Sequence, residues 1–152
     1  MISIAKAKLS DAPEIWRIQK SSFEGQAKIY NNYKLPPLVQ TLESLKDEFE
    51  NKVFLKAEFD GKIIGSVRFT VDRNEIEIER LIVDPNFQNQ GVGTVLMKGV
   101  EQIVDKKVTL KLFTGIKSSR NIHLYQKLGY KIYTQSETPQ GIGLLHMQKL
   151  PR

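Results

Sequence analysis

The segment Ile82-Val83-Asp84-Pro85-Asn86-Phe87-Gln88-Asn89-Gln90-Gly91-Val92-Gly93-Thr94 decides how this chain is read. The β-type run Ile76 to Val83 stops at Asp84-Pro85, because proline donates nothing to a ladder and steers its predecessor away from helix. A short polar loop follows, and Gly91-Val92-Gly93-Thr94 opens an apolar, helix-periodic segment. Strand, tight loop, glycines and helix together aim unpaired backbone N–H groups and the positive end of a helix dipole at one point. Such a point binds phosphate. Glycine at 91 and 93 is expected to let phosphates approach the backbone with no Cβ in the way.

Three phosphate-binding patterns compete for this segment. A Rossmann fingerprint needs glycine where Leu96 stands, and a P-loop needs a terminal Gly-Lys-Ser/Thr that is absent. The third is Gln/Arg-x-x-Gly-x-Gly/Ala after a strand ending Val-x-Pro, and Gln88-x-x-Gly91-x-Gly93 after Val83-Asp84-Pro85 fits it throughout. That pattern resembles the coenzyme A pyrophosphate loop of the GNAT superfamily of N-acetyltransferases. An ordinary tight turn into a helix gives similar residues, so the rest of the chain decides.

At 152 residues the chain is expected to form a single domain, residues 1–152, with a sizeable core. Its 40% hydrophobic and 26% charged residues are those of an ordinary globular protein. Without cysteine there are neither disulfides nor thiolate metal sites. No apolar run is long enough to span a bilayer and the N-terminus lacks a signal-peptide layout, so a cytoplasmic location is the expectation. The net charge of +6 comes from scattered residues rather than a dense basic block. It serves solubility or a polyanionic small cofactor as well as it would serve nucleic acid.

Along the chain, Ile2 to Ala7 reads as a strand. Ser10 or Asp11 caps a helix with Pro13 in its first turn and Ile15, Ile18, Ser22 and Phe23 on its stripe. Glu24 to Gln40, with Gly25, Tyr30-Asn31-Asn32-Tyr33 and Pro36-Pro37, reads as a long loop, and Thr41 to Glu50 as helix. Val53–Phe59 and Ile63–Val71 flank Asp60-Gly61, the strongest hairpin signal present. In the next strand Ile76 and Ile78 alternate on even positions but Leu81 and Val83 on odd ones, which predicts a β-bulge at Glu79-Arg80. Val92, Val95, Leu96, Gly99, Val100 and Ile103 share one helix face, with Gly99 allowing close approach to a sheet. Val108–Phe113, a helix ending at Gly129, and strands Tyr130–Thr134 and Gly143–Leu150 complete the chain.

The last helix carries an independent signal. Asn121-Ile122-His123-Leu124-Tyr125-Gln126-Lys127-Leu128-Gly129-Tyr130 resembles the second GNAT signature, Asn-x-x-x-Tyr-x-Lys-x-Gly-Phe/Tyr, in the order the family uses. The resemblance spans essentially the whole chain and implies an α+β fold. That fold has a strongly twisted, mostly antiparallel sheet of six to seven strands, a splayed fourth/fifth strand pair and about four flanking helices.

It also implies transfer of an acetyl group from acetyl-coenzyme A to a primary amine, by direct attack in a ternary complex. Backbone N–H groups of Gln88, Asn89, Gln90, Gly91, Val92, Gly93 and Thr94 would hold the pyrophosphate. The pantetheine arm would pair with Leu81, Ile82 and Val83 and meet Asn121 and Tyr125. An N–H near Leu81 or Ile82 would polarise the thioester carbonyl.

The resemblance makes Tyr125 the general acid for the departing thiolate, and a core tyrosine is the bland alternative. The attacking amine has to lose a proton. The family's base position, fourteen residues before Gly91, is Glu77, with Glu79 two further on the same face. Carboxylates at that spacing repel, which suits one of them to base work, whereas a solvated pair would do nothing. His123 and His146 have no metal-spaced companion and read as structural, and Trp16 reads as core. The partners expected are acetyl-coenzyme A and an amine acceptor, with a homodimer left open and no metal, membrane or nucleic acid. A non-catalytic acyl-coenzyme A sensor is the competing function.

Overall fold

A short strand, β1 (Ser3–Lys6), opens the chain and pairs antiparallel with β2 (Val53–Phe59). Strand β2 turns into β3 (Lys62–Asp72) through Asp60 and Gly61, whose φ values of 52° and 75° are those of a type I′ hairpin. This is a computed structural model, and it describes residues 1–152. A second tight turn, with Arg73 at φ 54°, leads to β4 (Glu75–Val83). Strands β5 (Thr109–Gly115), β6 (Lys131–Glu137) and β7 (Gly143–Lys149) complete one seven-stranded sheet in the order β1-β2-β3-β4-β5-β7-β6. Only β4 and β5 run parallel.

Five helices flank it: α1 (Ala12–Tyr30), α2 (Pro36–Val39), α3 (Leu42–Glu48), α4 (Val92–Ile103) and α5 (Ser119–Lys127). On one face Val92, Leu96, Met97 and Val100 of α4 join the main core with Leu55, Val67, Ile76, Ile78 and Leu110. Gly99 lets this helix lie close, since a Cβ there would stand 3.1 Å from Ile4 Cγ2. On the other face Ala12, Ile15 and Ile18 of α1 pack with Leu45, Phe54, Ile63 and Ile82. Burying each such aliphatic side chain contributes about 1.5–3 kcal/mol.

The segment from Glu24 to Gln40 differs from its sequence reading. Helix α1 continues through Gly25 to Tyr30, and only residues 31–35 are loop before α2. A mid-helix glycine costs about 1 kcal/mol relative to alanine. Tertiary contacts offset that cost: Ala27 is wholly buried, and Tyr30 Oη accepts from Lys117 N at 2.9 Å and lies 2.9 Å from Ser118 Oγ. Asn31, at φ 49°, then ends the helix in a left-handed cap. The gap between the last two strands, read as Tyr130–Thr134 and Gly143–Leu150, is also shorter, because β6 runs on to Glu137.

The bulge forms where the alternation breaks. Arg68 pairs with Glu79 but Ser66 with Ile82, so the β4 side carries an extra residue, and Arg80 there has φ 54°. The slip brings Leu81 and Val83 onto the main core that Ile76 and Ile78 already join, while Ile82 turns to the α1 face.

Candidate active site

Strands β4 and β5 pair only at Glu75–Thr109, Ile76–Leu110 and Glu77–Lys111, and then part. Past that point the β4 backbone has β3 on one side alone. Asp84 N donates to Ile64 O, and the register sets Ser66 opposite Ile82 and Gly65 opposite Val83. The alternation of an antiparallel ladder therefore turns the N–H groups of Leu81 and Val83 away from β3, toward the gap. A cleft of about 600 Å³ runs along this gap. Leu81, Val83, Gln88, Asn89, Gly91, Val92, Gly93, Thr94 and Asn121 all line it. Ile82, 1% exposed on the α1 face, the exposed Gln90, and the three expected catalytic residues Tyr125, Glu77 and Glu79 do not line it.

The loop is locked from below. Asp84 is 2% exposed; its carboxylate accepts from Asn86 N at 2.9 Å and lies 3.4 Å from Arg17 Nη2. Asn89 (φ 62°) and Gly91 (φ 80°, ψ 10°) make the left-handed entry to α4. The first helical bond is Val95 N to Gly91 O, so the amides of Val92, Gly93 and Thr94 have no backbone acceptor.

The two glycines do different work. A Cβ at Gly91 would meet nothing within 4 Å and would enter open space, consistent with close approach of a ligand. A Cβ at Gly93 would lie 3.2 Å from Leu124 Cδ2 and 3.6 Å from Leu81 Cδ2. Gly93 therefore makes room for those side chains more than for phosphate, a role its sequence position alone did not separate from that of Gly91.

Tyr125 is 6% exposed, packed edge-on against Tyr130 with ring centroids 6.1 Å apart. Its hydroxyl is not one of the sealed, unpartnered polar atoms, which are the Nε of Arg68 and of Arg80. Burial pushes its pKa well above the usual phenol value. Tyr125 is thus a protonated donor at any physiological pH.

The three β4 glutamates stand in different surroundings. Glu75 pairs with Lys111 Nζ at 3.0 Å. Glu79 pairs with Lys52 and lies 4.0 Å from Arg68 Nε, inside a buried network. In that network Arg68, 1% exposed, donates to Gln19 and Gln40 at 3.1 Å each and lies 3.3 Å from Glu48. Glu77 has no cation within ion-pair distance. Although its surface is exposed, packing around its carboxylate, and next the charge of Glu79, push its pKa above the ordinary carboxylate range.

The sequence profile of the Acetyltransferase (GNAT) family matches residues 12–130. The chain belongs to this family. It is 24% identical over 144 residues to the spermidine N(1)-acetyltransferase of Thermoplasma acidophilum, a match covering 86% of this chain and 89% of that one. Two partial relatives, from Bacillus subtilis (32% over 80 residues) and Methanocaldococcus jannaschii (28% over 87), align over 51% of this chain each. The aligned parts span 49% and 38% of those two proteins.

Among solved structures, the PaiA N-acetyltransferase of T. acidophilum in complex with coenzyme A superposes with a TM-score of 0.78 at 20% identity, covering 98% and 99% of the two chains. The Salmonella typhimurium protein yncA, solved with acetyl-coenzyme A, gives 0.79 at 17% identity, covering 100% and 95%. At these identities the structures establish the shared fold.

A GNAT N-acetyltransferase takes acetyl-coenzyme A as co-substrate, and the residues of the cleft suit that molecule. The three amides without a backbone acceptor lie at a helix N-terminus, a donor set of the kind that suits a phosphate group. Lys117, Arg120 and Lys127 add positive charge along the same wall, and Arg120 Nη1 donates to Gln88 Oε1 at 2.8 Å, tying α5 to the loop. The unpaired β4 edge offers backbone partners to an amide-bearing arm. The sequence reading put Ser22 and Phe23 on the packed stripe of the first helix and Gln26 in a loop, but all three line the cleft from α1, Gln26 because the helix runs on past Gly25. It also passed over Arg120, although Lys117-Ser118-Ser119-Arg120 stands directly before the Asn121 motif. No helix is long and apolar enough to cross a membrane.

Proposed function

We propose that residues 1–152 act as one acetyltransferase domain in the cytoplasm, moving the acetyl group to a primary amine by direct attack in a ternary complex. The parting of β4 and β5 beyond Glu77 and Lys111 supports this reading, since the cleft that runs along the gap is lined by the free β4 edge, the α4 N-terminus and helix α5. Acetyl-coenzyme A supplies the acetyl group and departs as the thiol.

Glu77 takes a proton from the acceptor ammonium, directly or through water, freeing the nitrogen lone pair. A C–N bond then forms as the C–S bond breaks. The N–H of Leu81 stabilises the carbonyl oxygen as charge develops on it. Tyr125 gives its proton to the departing sulfur, and the second proton shed by the acylated nitrogen returns through water to the Tyr125 oxygen, so that amide and thiol both leave neutral. Glu79 supports Glu77 by repelling its charge, which keeps it basic. Asn121 and the amides from Gln88 to Thr94 hold the co-substrate. The spermidine-acetylating relative supports an alkylamine acceptor.

A panel of amines, assayed by thiol release from acetyl-coenzyme A, tests the proposal. Release that depends on both amine and protein supports it. Tight coenzyme A binding with no release for any amine would overturn it in favour of an acyl-coenzyme A sensor.

A further inference from the structure

Helix α1 covers β3 and β4 and reaches β5 at its end, where Tyr30 packs over Gly115, whereas Phe113 of β5 and Tyr133 of β6 stay exposed. Among polar neighbours such as Lys111 and Gln148, this face carries aromatic rings. Phe113 of β5 is the next residue on the face after Lys111, at the point where β4 and β5 separate. It stands opposite His146 of β7, with ring centroids 5.8 Å apart. His146 in turn lies 6.3 Å from the Tyr133 ring of β6, and Ser136 Oγ holds its Nε2 at 2.7 Å. Three rings therefore form a row across three strands, and Phe113 and Tyr133 each remain 43% exposed.

The row begins beside Glu77, the one β4 glutamate without an ion-pair partner. The side chain of Lys111 shows what such a surface recognises. Its ammonium is held by Glu75 at 3.0 Å and lies 5.4 Å from the centroid of Tyr133. One carboxylate and one aromatic face thus already bind one alkylammonium group here. A second carboxylate, Glu77, and two further rings, Phe113 and His146, stand next to them with no such guest.

We infer that Phe113, His146 and Tyr133 form the acceptor subsite, and that it takes an unbranched alkylammonium, the chemistry shared by a terminal diamine and a lysine side chain. This rests on the acetyltransfer reading above. The ammonium sits at Glu77, where it loses its proton. The methylene chain runs over the rings, which offer apolar surface and a negative π-face to any second cationic end. An amine carrying an adjacent carboxylate fits poorly, because its anion would face Glu75, Glu77 and Glu79. His146 is then a substrate-contacting residue rather than the structural histidine its isolation in the sequence implies.

The test uses the full chain with 1,5-diaminopentane, Nα-acetyl-lysine amide and glycine as acceptors, and the Phe113→Leu, Tyr133→Leu and His146→Leu variants. The expected result is acetylation of the first two amines well above glycine. Each aromatic substitution should raise the KM for 1,5-diaminopentane roughly 3- to 30-fold and leave the KM for acetyl-coenzyme A as it was. The ratio of the first two acceptors assigns the source, a free diamine or a lysine side chain.

Equal use of glycine would overturn the inference, as would variants whose amine KM stays at the wild-type value. Should no amine be acetylated, titration calorimetry of 1,5-diaminopentane into the coenzyme A complex separates the two claims. Binding lost in Tyr133→Leu keeps the subsite while the catalytic reading falls. No binding removes both.

Discussion

Gly91→Ala isolates the role of the phosphate loop, because the structure separates its two consequences. Gly91 sits at φ 80° and ψ 10°, and an added Cβ would meet nothing within 4 Å. The apo protein therefore loses only the cost of a left-handed alanine, about 1–2 kcal/mol, less what alanine returns by stiffening the unfolded chain, about 0.4–1 kcal/mol. A net loss of about 1 kcal/mol lowers the Tm of a chain this size by about 2–4 °C.

Wild-type protein with coenzyme A at about a hundredfold excess over Kd should gain about 2.7 kcal/mol, or roughly 5–11 °C. In Gly91→Ala the methyl group stands in the cleft and shifts the loop, so most of that gain should vanish. Gly61→Ala is the matched control. It has φ 75° and open space for a Cβ, but lies in the β2–β3 hairpin away from the cleft. It should lower the apo Tm equally and keep the full coenzyme A shift. Scanning fluorimetry on the three proteins decides the matter. A Gly91→Ala protein with an undiminished coenzyme A shift would refute the assignment of this loop to the pyrophosphate.

Tyr125→Phe should lower turnover roughly 10²-fold or more if the phenol donates the leaving-group proton, with the coenzyme A thermal shift kept; wild-type turnover would show that water protonates the thiolate. Glu77→Gln should depress the rate most where the amine is still protonated, and an unchanged pH–rate profile would remove Glu77 as base. The same variant has a stability signature. Because folding raises the Glu77 pKa, its contribution is fully present below the unfolded value and is lost as pH rises through the folded one. Glu77→Gln should therefore have a higher Tm than wild type near neutrality, and the difference should close near pH 4, as measured by thermal scans across pH.

Arg68→Met breaks the buried network under α1. Burial holds the Arg68 pKa down to about 10, while Glu48 and Glu79 favour its charge. Removing one side of a buried pair costs about 3–5 kcal/mol. Lys52 still bonds both glutamates, which places the loss near the lower end, and urea denaturation measures it.

The sequence by itself determined the elements whose signals are local. Asp60-Gly61 allows positive φ cheaply and so fixed the hairpin. The broken alternation between Ile78 and Leu81 located the bulge, because a period of two cannot absorb an extra residue without one. Val83-x-Pro85 followed by Gln88-x-x-Gly91-x-Gly93, with Asn121 and Tyr125 downstream, carried the resemblance to the family to which the chain belongs.

Tertiary structure alone decided the rest. Whether residues 24–30 are helix turned on the burial of Ala27 and the Tyr30–Ser118 contact, which join positions far apart in the chain and outweigh the helix-breaking of Gly25. The different roles of Gly91 and Gly93 depend on Leu124, a neighbour supplied by another helix. That Glu77 is left unpaired while Glu75 and Glu79 are not depends on Lys111 and Lys52 arriving from β5 and from the turn before β2. The aromatic row exists only because β7 inserts between β5 and β6 and brings Phe113, His146 and Tyr133 side by side. Strand order is a long-range choice, settled by how the two faces of the sheet are covered rather than by any local pattern.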